Sequence, residues 1–405
     1  MKKYNIPFSP PDITEDEINE VIDTLKSGWI TTGPKTKELE RRLSEFTTTP
    51  KTVCLNSATA ALELVLRVLG IGEGDEVIVP AMTYTASCSV IYHVGAKAVI
   101  VDIQKDGHEM DYAALENAIT EKTKAVIPVD LAGIPCNYDK IFEVVNAKKS
   151  LFKANSEYQE KLGRIAVVAD GAHALGSVYK GVKVGAVADF TTFSFHAVKN
   201  FTTAEGGSVT WKENPNFDDE ELYKEFQIYS LHGQTKDALA KTKAGSWEYD
   251  IVIPGYKCNM TDIMASIGLV QLDRYPKLLE RRVELVEQYN KAFEGTRVVP
   301  LVHYTDTYKS SGHLYITHIK GATYEQRGEI ITKMAERGIS CNVHYKPLPL
   351  LTAYSNLGFD IKDYLNAYDY FVNEVTLPLH TRLSDEDVKV IVENFKEIVA
   401  EVVGE

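Results

Sequence analysis

Cysteines are few in this sequence, and long apolar segments are absent. The five cysteines are widely spaced and form no Cys-x-x-Cys pair, so nothing indicates a zinc or dithiol site. No apolar run reaches the roughly 18 residues that a membrane-spanning helix requires, and Pro7, Pro10 and Pro11 interrupt the N-terminal region before an apolar signal-peptide core develops. These features predict a reduced, unexported, cytoplasmic protein that does not bind a membrane.

Positive charge is also in deficit. The chain has 44 Lys and Arg residues against 57 Asp and Glu residues, which gives a formal net charge of −13 at pH 7. A nucleic-acid-binding surface needs a basic face, and so does attraction to an anionic membrane. We therefore expect small-molecule substrates and no nucleic-acid partner. An anionic substrate would have to meet basic residues that are concentrated locally.

Internal repeats and low-complexity segments are missing too, so the 405 residues are available for ordinary globular domains. In the first two thirds, short apolar runs alternate with helical patterns, as a parallel sheet covered by helices requires. The clearest predicted strands are 53–55, 76–79, 98–103, 125–129, 165–169 and 189–195. Helices are predicted at 14–28, 35–46, 59–69 and 112–120, whereas 148–164 is predicted to be a charged surface helix or loop.

The pattern changes after a long helix that begins near Met260 and continues past Val286. Strands are then predicted at 312–317 and 339–344, and helices at 324–337 and 385–403. The expected fold class is α/β, with a three-layer α/β/α large domain built on a mostly parallel sheet and a smaller α+β C-terminal domain. We expect an N-terminal arm at 1–34, the large domain at 35–275 and the small domain at 276–405.

The helix predicted at 14–28 has clear end signals. Thr14 and Glu17 have capping-box spacing, and Gly28 ends the helix. Its apolar residues, which make the helix amphipathic, form one stripe: Ile18, Val21, Ile22 and Leu25.

Lys199 has neighbours that point to one cofactor. It follows Ser194 just past a predicted strand, where α/β proteins bind ligands. Asp170 ends another apolar strand, where a carboxylate must be solvated, paired or functional. A lysine amine that attacks an aldehyde, an aspartate beside a protonated pyridine nitrogen and a serine hydroxyl near a phosphate are the three contacts of pyridoxal phosphate (PLP). An isolated lysine would instead be expected on a solvated loop.

Ser57, Ala58 and Thr59 lie between a predicted strand and a predicted helix. Backbone N–H groups at a helix N-terminus bind anions, so this segment is a candidate phosphate site. A simple helix N-cap by a Ser or Thr hydroxyl is the structural alternative. The two roles can coexist.

The sequence resembles the sugar-nucleotide aminotransferases of the DegT/StrS type, which belong to the fold type I PLP enzymes. The resemblance covers nearly the whole chain, and its motifs are specific in their order and spacing although each is weak alone. They are residues 29–34, 56–62, 170–176, 194–196 with Lys199, 205–207, 255–268, 343–347 and 377–379.

The resemblance implies how the cofactor would be bound. Lys199 would form the Schiff base with PLP and move the proton between carbon atoms, and Asp170 would keep the pyridine nitrogen protonated. Tyr84 would stack on the ring, and His173 would pack beside it, although a structural role is the alternative for each. Asn259 would reach the phosphate in the partner subunit of a homodimer. The family often has Asn-Tyr-Arg-Met where this chain has Lys-Cys-Asn-Met, so Lys257 is the other candidate for that contact.

On the substrate side, the resemblance implies roles for Thr31, Gly33, His313, His344 and Tyr345, each with a structural alternative. The implied reaction transfers the amino group of glutamate to a nucleotide-linked keto-sugar, with a UDP- or dTDP-4-keto-6-deoxyhexose favoured and C3 amination open. The product would be an amino sugar nucleotide for cell-surface glycans or polysaccharides, and pyridoxamine phosphate would be the alternate cofactor form.

Other readings compete with transamination. Relatives that dehydrate sugars carry histidine in place of the lysine, whereas this chain has Lys199. Aldol cleavage or β-elimination on the same cofactor fits the sugar-side motifs poorly. A non-catalytic regulator or binding protein on the same scaffold would not require Asp170, Ser194 and Lys199 together.

Overall fold

The computed structural model describes residues 4–105, 107–236 and 248–404. Its helices are α1 (Glu15–Ser27), α2 (Pro34–Thr47), α3 (Ala58–Val68), α4 (Thr85–His93), α5 (Tyr112–Ala118), α6 (Tyr138–Ala147), α7 (Glu157–Leu162), α8 (Asp219–Ser230), α9 (Asp262–Phe293), α10 (Tyr324–Glu336), α11 (Thr352–Ser355), α12 (Leu365–Val372) and α13 (Asp385–Val403). Its strands are β1 (Thr52–Leu55), β2 (Glu76–Pro80), β3 (Lys97–Val101), β4 (Thr123–Val126), β5 (Ala166–Asp170), β6 (Val178–Tyr179), β7 (Val182–Lys183), β8 (Phe190–Ser194), β9 (Gly207–Trp211), β10 (Val298–Pro300), β11 (Tyr308–Lys309), β12 (Tyr315–Ile319) and β13 (Glu374–Leu377).

A seven-stranded sheet with the order β1-β9-β8-β5-β4-β2-β3 forms the centre of the molecule. Only β9 runs against its neighbours; the other pairs within this sheet are parallel. The six predicted strands of the first two thirds all lie in it. Their residues are buried almost throughout, because helices cover both faces of such a sheet. The mixed α/β fold predicted from the sequence is therefore confirmed.

The C-terminal third forms a second apolar cluster. The antiparallel sheet β10-β12-β13 packs with α10, α13 and the end of α9 around Tyr289, Phe293 and Phe395. Helix α9 is continuous across residues 275 and 276, where a domain boundary was predicted. Leu348, Tyr354 and Phe371 pack into the core of the large sheet. The division at 1–34, 35–275 and 276–405 stays a prediction, and residues 1–3 and 405 lie outside the described residues.

Helix α1 has the predicted ends but not a buried apolar stripe. Thr14 forms the capping box with Glu17, and Gly28 ends the helix in the left-handed conformation. Glu17 is buried against α9, where Arg274 and Gln271 bind its carboxylate. Ile18, Ile22 and Leu25 are exposed instead. Because the ion pair fixes which side of the helix faces the protein, the apolar stripe remains on the surface of the single chain.

Two predicted elements differ from the structure. Residues 339–344 form isolated bridges, in which Ile339 pairs with Ile6 and Asn342 pairs with Thr376, and the predicted strand is wrong. Ile339 and Asn342 each form only a single bridge, and the two bridges are to different segments. The consecutive residue pairs that make a ladder therefore do not form. Residues 148–164 contain a short 3-10 turn and α7, whose Tyr158 and Gln159 are buried rather than on the surface. Within the described ranges, no helix combines the length and the hydropathy needed to cross a lipid bilayer.

Candidate active site

A cavity of about 510 Å³ lies at the carboxyl ends of the parallel strands. This is the edge at which open α/β sheets bind ligands, and the volume is in the usual range for small-molecule sites. It collects eleven of the residues predicted from the sequence: Ser57, Ala58, Thr59, Tyr84, Asp170, His173, Ser194, Lys199, His313, His344 and Tyr345. They come from segments spread over most of the chain.

Lys199 is held in a turn after β8, where its backbone N–H donates to the His196 carbonyl at 2.9 Å. Burial lowers the pKa of its ammonium to about 8, although the Asp170 carboxylate opposes that shift. A lysine with this pKa is partly unprotonated near neutral pH, as attack on an aldehyde requires. The amine of the predicted nucleophile is therefore more often unprotonated near neutral pH than the amine of an exposed lysine.

Asp170 ends β5 with a buried carboxylate. Ser87 donates its hydroxyl proton to Oδ2 at 2.6 Å, and the Ala172 N–H donates to Oδ1 at 3.1 Å. Burial raises the pKa of Asp170, whereas these two hydrogen bonds and the Lys199 charge lower it. Ser87 also contacts the Thr83 hydroxyl at 2.7 Å. Ser87 and Thr83 were not predicted from the sequence, where their only signal is a four-residue spacing across the start of α4.

The N-terminus of α3 forms one end of the cavity. The Ser57 hydroxyl accepts the Ala60 N–H at 3.1 Å, so the N-cap proposed as the structural alternative is present. Ala58, Thr59 and Ser194 line the same cavity. A Cβ on Gly207 would lie 2.3 Å from the Ala58 nitrogen, so only glycine lets β9 approach this helix end. Helix N–H groups and hydroxyls together provide an anion site.

His173 and His313 face each other in the cavity, with ring centroids 4.4 Å apart. The Ala132 N–H donates to His173 Nδ1 at 3.2 Å, so the proton of that ring lies on Nε2, 3.3 Å from the Tyr345 hydroxyl. Burial holds the pKa of both histidines well below the usual value, with Lys199 adding to the effect. Both rings are therefore neutral at physiological pH.

Asn200 sets the tautomer of His313. Its amide nitrogen donates to the Ser311 carbonyl at 2.9 Å, which leaves Oδ1 to accept from His313 Nδ1 at 2.8 Å. His313 therefore carries its proton on Nδ1, whereas His173 carries it on Nε2. Asn200 was not singled out in the sequence, because nothing local connects it with a histidine 113 residues away.

Aromatic rings form the remaining wall. Tyr84 is 60% exposed, and its ring centroid lies 5.8 Å from that of Tyr345. Phe8, from the N-terminal segment, stacks on His344 with centroids 5.6 Å apart. Phe8 was not predicted from the sequence, since its contact with His344 joins opposite ends of the chain. A flat, partly apolar slot results, which suits an aromatic ligand.

Three predicted residues do not line this cavity. Thr31 is exposed, and its carbonyl accepts the Asp262 N–H at 3.1 Å. Gly33 is the N-cap of α2, and its N–H donates to the Asp262 carboxylate at 2.8 Å. Asn259 hydrogen-bonds to Lys257 and Thr32 beside the end of β1. Their binding roles stay predictions.

The cavity fits PLP in its charges and its hydrogen-bonding groups. Lys199 would supply an amine of lowered pKa, Asp170 would accept from a protonated pyridine nitrogen, and the α3 N-terminus with Ser194 would form the anion site. When bound, PLP supplies an electron sink for negative charge that develops on the carbon bearing the amine. The protein would supply the amine, the carboxylate and the walls of the cavity.

The similarity of this chain to known proteins agrees with a cavity that fits PLP. A profile of the DegT/DnrJ/EryC1/StrS aminotransferase family matches residues 11–396. The solved structure of sugar aminotransferase Spr1654 from Streptococcus pneumoniae, in its PMP form, is 70% identical with a TM-score of 0.96, covering 98% of this chain and 100% of that chain.

Two curated relatives are similar along their full lengths. The spore coat polysaccharide biosynthesis protein SpsC of Bacillus subtilis is 37% identical over 98% of both chains. The UDP-4-amino-4-deoxy-L-arabinose–oxoglutarate aminotransferase of Shewanella sediminis is 35% identical over 98% of this chain and 99% of its own. The chain thus belongs to the DegT/DnrJ/EryC1/StrS aminotransferase family, whose members are PLP-dependent sugar aminotransferases.

Proposed function

We propose that this protein transfers the amino group of glutamate to a nucleotide-linked keto-sugar, most favourably a UDP- or dTDP-4-keto-6-deoxyhexose. The product is an amino sugar nucleotide for cell-surface glycan or polysaccharide synthesis. The observation that carries the proposal is the pairing of a Lys199 amine of lowered pKa with the buried Asp170 carboxylate in one cavity.

The names of relatives support the substrate classes. The Shewanella enzyme is named for UDP-4-amino-4-deoxy-L-arabinose and oxoglutarate, and oxoglutarate is the keto acid that glutamate becomes when it loses its amine. That name favours UDP and amination at C4, although arabinose is a pentose. SpsC is named for polysaccharide biosynthesis.

The chain's own residues divide the work. Lys199 Nζ would accept a proton from the substrate carbon and deliver it to the cofactor carbon. This is general acid–base catalysis by one amine. Asp170 would hold the pyridine nitrogen of the bound cofactor and stabilise a positive charge on it. Ser57 to Thr59 and Ser194 would bind the phosphate, and Tyr84 would stack on the ring. His313, His344 and Tyr345 would contact the sugar. His173 and His313 are neutral, so they add no positive charge beside the Lys199 amine.

We also propose a cytoplasmic homodimer with shared active sites. Asn259 lies outside the cavity of its own chain, at the end of an exposed segment that includes Ile251 and Val252. An exposed apolar segment next to a predicted phosphate ligand favours an interface through which Asn259 enters the partner's site.

Sugar dehydration and a non-catalytic binding role are the alternatives. Dehydrating relatives replace the lysine, whereas Lys199 is present and has a lowered pKa. A binding protein has no need for a reactive amine beside a buried carboxylate. Amination at C3 rather than C4 uses the same residues, so product analysis must distinguish the two.

The decisive experiment follows the absorbance of the PLP-loaded protein. Glutamate should shift the visible band, and a keto-sugar nucleotide should restore it, with the amino sugar identified by mass and NMR. Lys199→Ala should reduce both changes by roughly 10²–10⁴-fold, the usual effect of losing a general acid–base group. Lys183→Ala is the matched control, because Lys183 is a second lysine whose pKa burial lowers and which does not line the cavity.

Two outcomes would contradict the proposal. Normal turnover in Lys199→Ala would remove Lys199 from the reaction. A protein that binds PLP and nucleotide sugars without any spectral change would support the binding-protein alternative.

A further inference from the structure

His344 is hydrogen-bonded by two buried side chains of β13, Glu374 and Thr376. Its backbone N–H donates to Glu374 Oε2 at 2.9 Å, and its ring Nδ1 lies 2.8 Å from the Thr376 hydroxyl. That hydroxyl is also 2.5 Å from Glu374 Oε1. Glu374 and Thr376 are fully buried, whereas His344 lines the cavity. A chain of hydrogen bonds therefore joins a buried carboxyl group to a ring that faces the substrate side.

The direction of these hydrogen bonds follows from the number of available protons. An ionised carboxylate only accepts, so Glu374 accepts from both the His344 N–H and the Thr376 hydroxyl. A hydroxyl has a single proton, and Thr376 has donated it. Its oxygen can then only accept from the His344 ring, which must carry its proton on Nδ1. The other ring nitrogen, Nε2, is left with a lone pair.

The arrangement is fixed by the surrounding backbone. Asn342 and Thr376 exchange two backbone hydrogen bonds, at 3.0 and 2.8 Å, which tie the segment before His344 to β13. Phe8 stacks on the His344 ring, and Tyr345 packs edge-on at 5.0 Å. Two aromatic contacts and the Thr376 hydrogen bond therefore hold the ring, and we infer that its hydrogen bonds decide which nitrogen is protonated.

We propose that Glu374 is a positioning residue that acts through Thr376 to hold His344 as the Nδ1–H tautomer, so that Nε2 accepts a hydrogen bond from a hydroxyl of the sugar. The second part of this statement rests on the proposed function. The first part, the tautomer, concerns the protein alone and is measurable without cofactor or substrate.

The charge state of Glu374 determines the pH at which the test is done. Burial raises its pKa to about 7, opposed by the two hydrogen bonds and by the charge of Arg327 on α10. The other ionisable groups that interact with it are Cys341, Tyr345 and Tyr370, all neutral in this range because their own pKa values are raised. His344 is neutral too, since burial lowers its pKa to about 3. Well above pH 7, Glu374 is the ionised member of the group.

The test is long-range ¹H–¹⁵N NMR of cofactor-free protein labelled with ¹⁵N-histidine, at about pH 8.5, above the Glu374 pKa of about 7. The chain has 10 histidines, and a His344→Gln sample identifies the signal of interest. In the wild type, Nδ1 of His344 should be protonated and Nε2 unprotonated. A wild-type spectrum with the proton on Nε2 would overturn the proposal by itself.

Glu374→Gln is the sharpest variant. The His344 N–H still needs an acceptor, so the amide oxygen must face it and the amide NH₂ must face Thr376. Thr376 then accepts from the amide and donates to the His344 ring, which moves the ring proton to Nε2. An unchanged tautomer in a folded Glu374→Gln protein would refute the role of Glu374.

Two further variants keep the test independent of that one. Thr376→Ser retains the hydroxyl and should preserve the wild-type tautomer, whereas Thr376→Val removes the link and should abolish the preference for Nδ1–H. Equal tautomers in these two variants would also refute the relay.

In turnover, Glu374→Gln should raise KM for the keto-sugar nucleotide roughly tenfold, equivalent to about 1.4 kcal/mol, and leave the glutamate half-reaction within about twofold. Absence of sugar turnover in the wild type would contradict the proposed function. The NMR result would still decide the tautomer of His344.

Discussion

At the residue scale, the site depends on the burial of the Lys199 amine in the same cavity as the Asp170 carboxylate. Burial lowers the pKa of Lys199 to about 8, and the Asp170 charge limits that shift. We predict that the rate of PLP loading into cofactor-free protein rises with pH and is half-maximal near pH 8, because only the unprotonated amine reacts. Stopped-flow absorbance from pH 6.5 to 9.5, in about six steps, measures this profile.

The Asp170→Asn variant checks the cause of that pKa. The carboxylate raises the Lys199 pKa, so its neutralisation should lower the pKa and shift the loading profile to lower pH. Lys183→Ala should leave the profile in place. A rate that is still far from its half-maximum at the upper end of this pH range, as for an exposed lysine with a pKa of about 10.4, would show that the amine is not desolvated.

At the element scale, Asp262 joins the start of α9 to the start of α2. Its buried carboxylate accepts the N–H groups of Gly33, Lys35 and Thr36 and the Thr36 hydroxyl. We predict that Asp262→Ala lowers the free energy of unfolding by about 2–3 kcal/mol, because several buried donors lose a charged acceptor. Urea unfolding of cofactor-free protein measures the loss.

Asp273→Ala is the control on the same helix. Asp273 pairs with Arg42 but is mostly exposed, so its loss should cost below about 1 kcal/mol. Equal effects of the two substitutions would show that the Asp262 network does not hold the segment containing Thr31 and Gly33.

At the scale of the whole molecule, the proposed homodimer divides each active site between two chains. We predict that Lys199→Ala and Asn259→Ala, each weakly active alone, regain activity when unfolded together and refolded as a mixture. In a hybrid dimer one site takes Lys199 from one chain and Asn259 from the other, and is intact. Half of the dimers in a random mixture are hybrids with one good site each, so roughly a quarter of wild-type activity should return if the subunits mix freely.

The control for this experiment mixes two variants that are both substituted at position 199. Mixing Lys199→Ala with Lys199→Arg should restore nothing, because neither chain supplies the lysine. Failure of the first mixture to recover, with dimers shown by ultracentrifugation, would place Asn259 outside the partner's site and leave Lys257 as the candidate.

Local patterns in the sequence were sufficient for six of the seven strands of the central sheet and for the long helix α9. They also indicated part of the cavity, whereas the family resemblance alone indicated Tyr84, His173, His313, His344 and Tyr345. Strand periodicity and turn residues act over a few positions, and parallel strands place their carboxyl ends at one edge. Ser57, Asp170, Ser194 and Lys199 could therefore be placed together before the fold was known.

Only the tertiary structure decided which face of α1 is covered, that Phe8 lines the cavity, and which nitrogen of each cavity histidine carries the proton. Each depends on contacts between residues far apart in the chain: Glu17 with Arg274, Phe8 with His344, and Asn200 with His313. Burial and hydrogen-bond direction arise from all neighbours at once, whereas sequence patterns report only adjacent ones. The sequence by itself determined which reactive groups are present, and the packing of distant segments determined which of their atoms carry a proton.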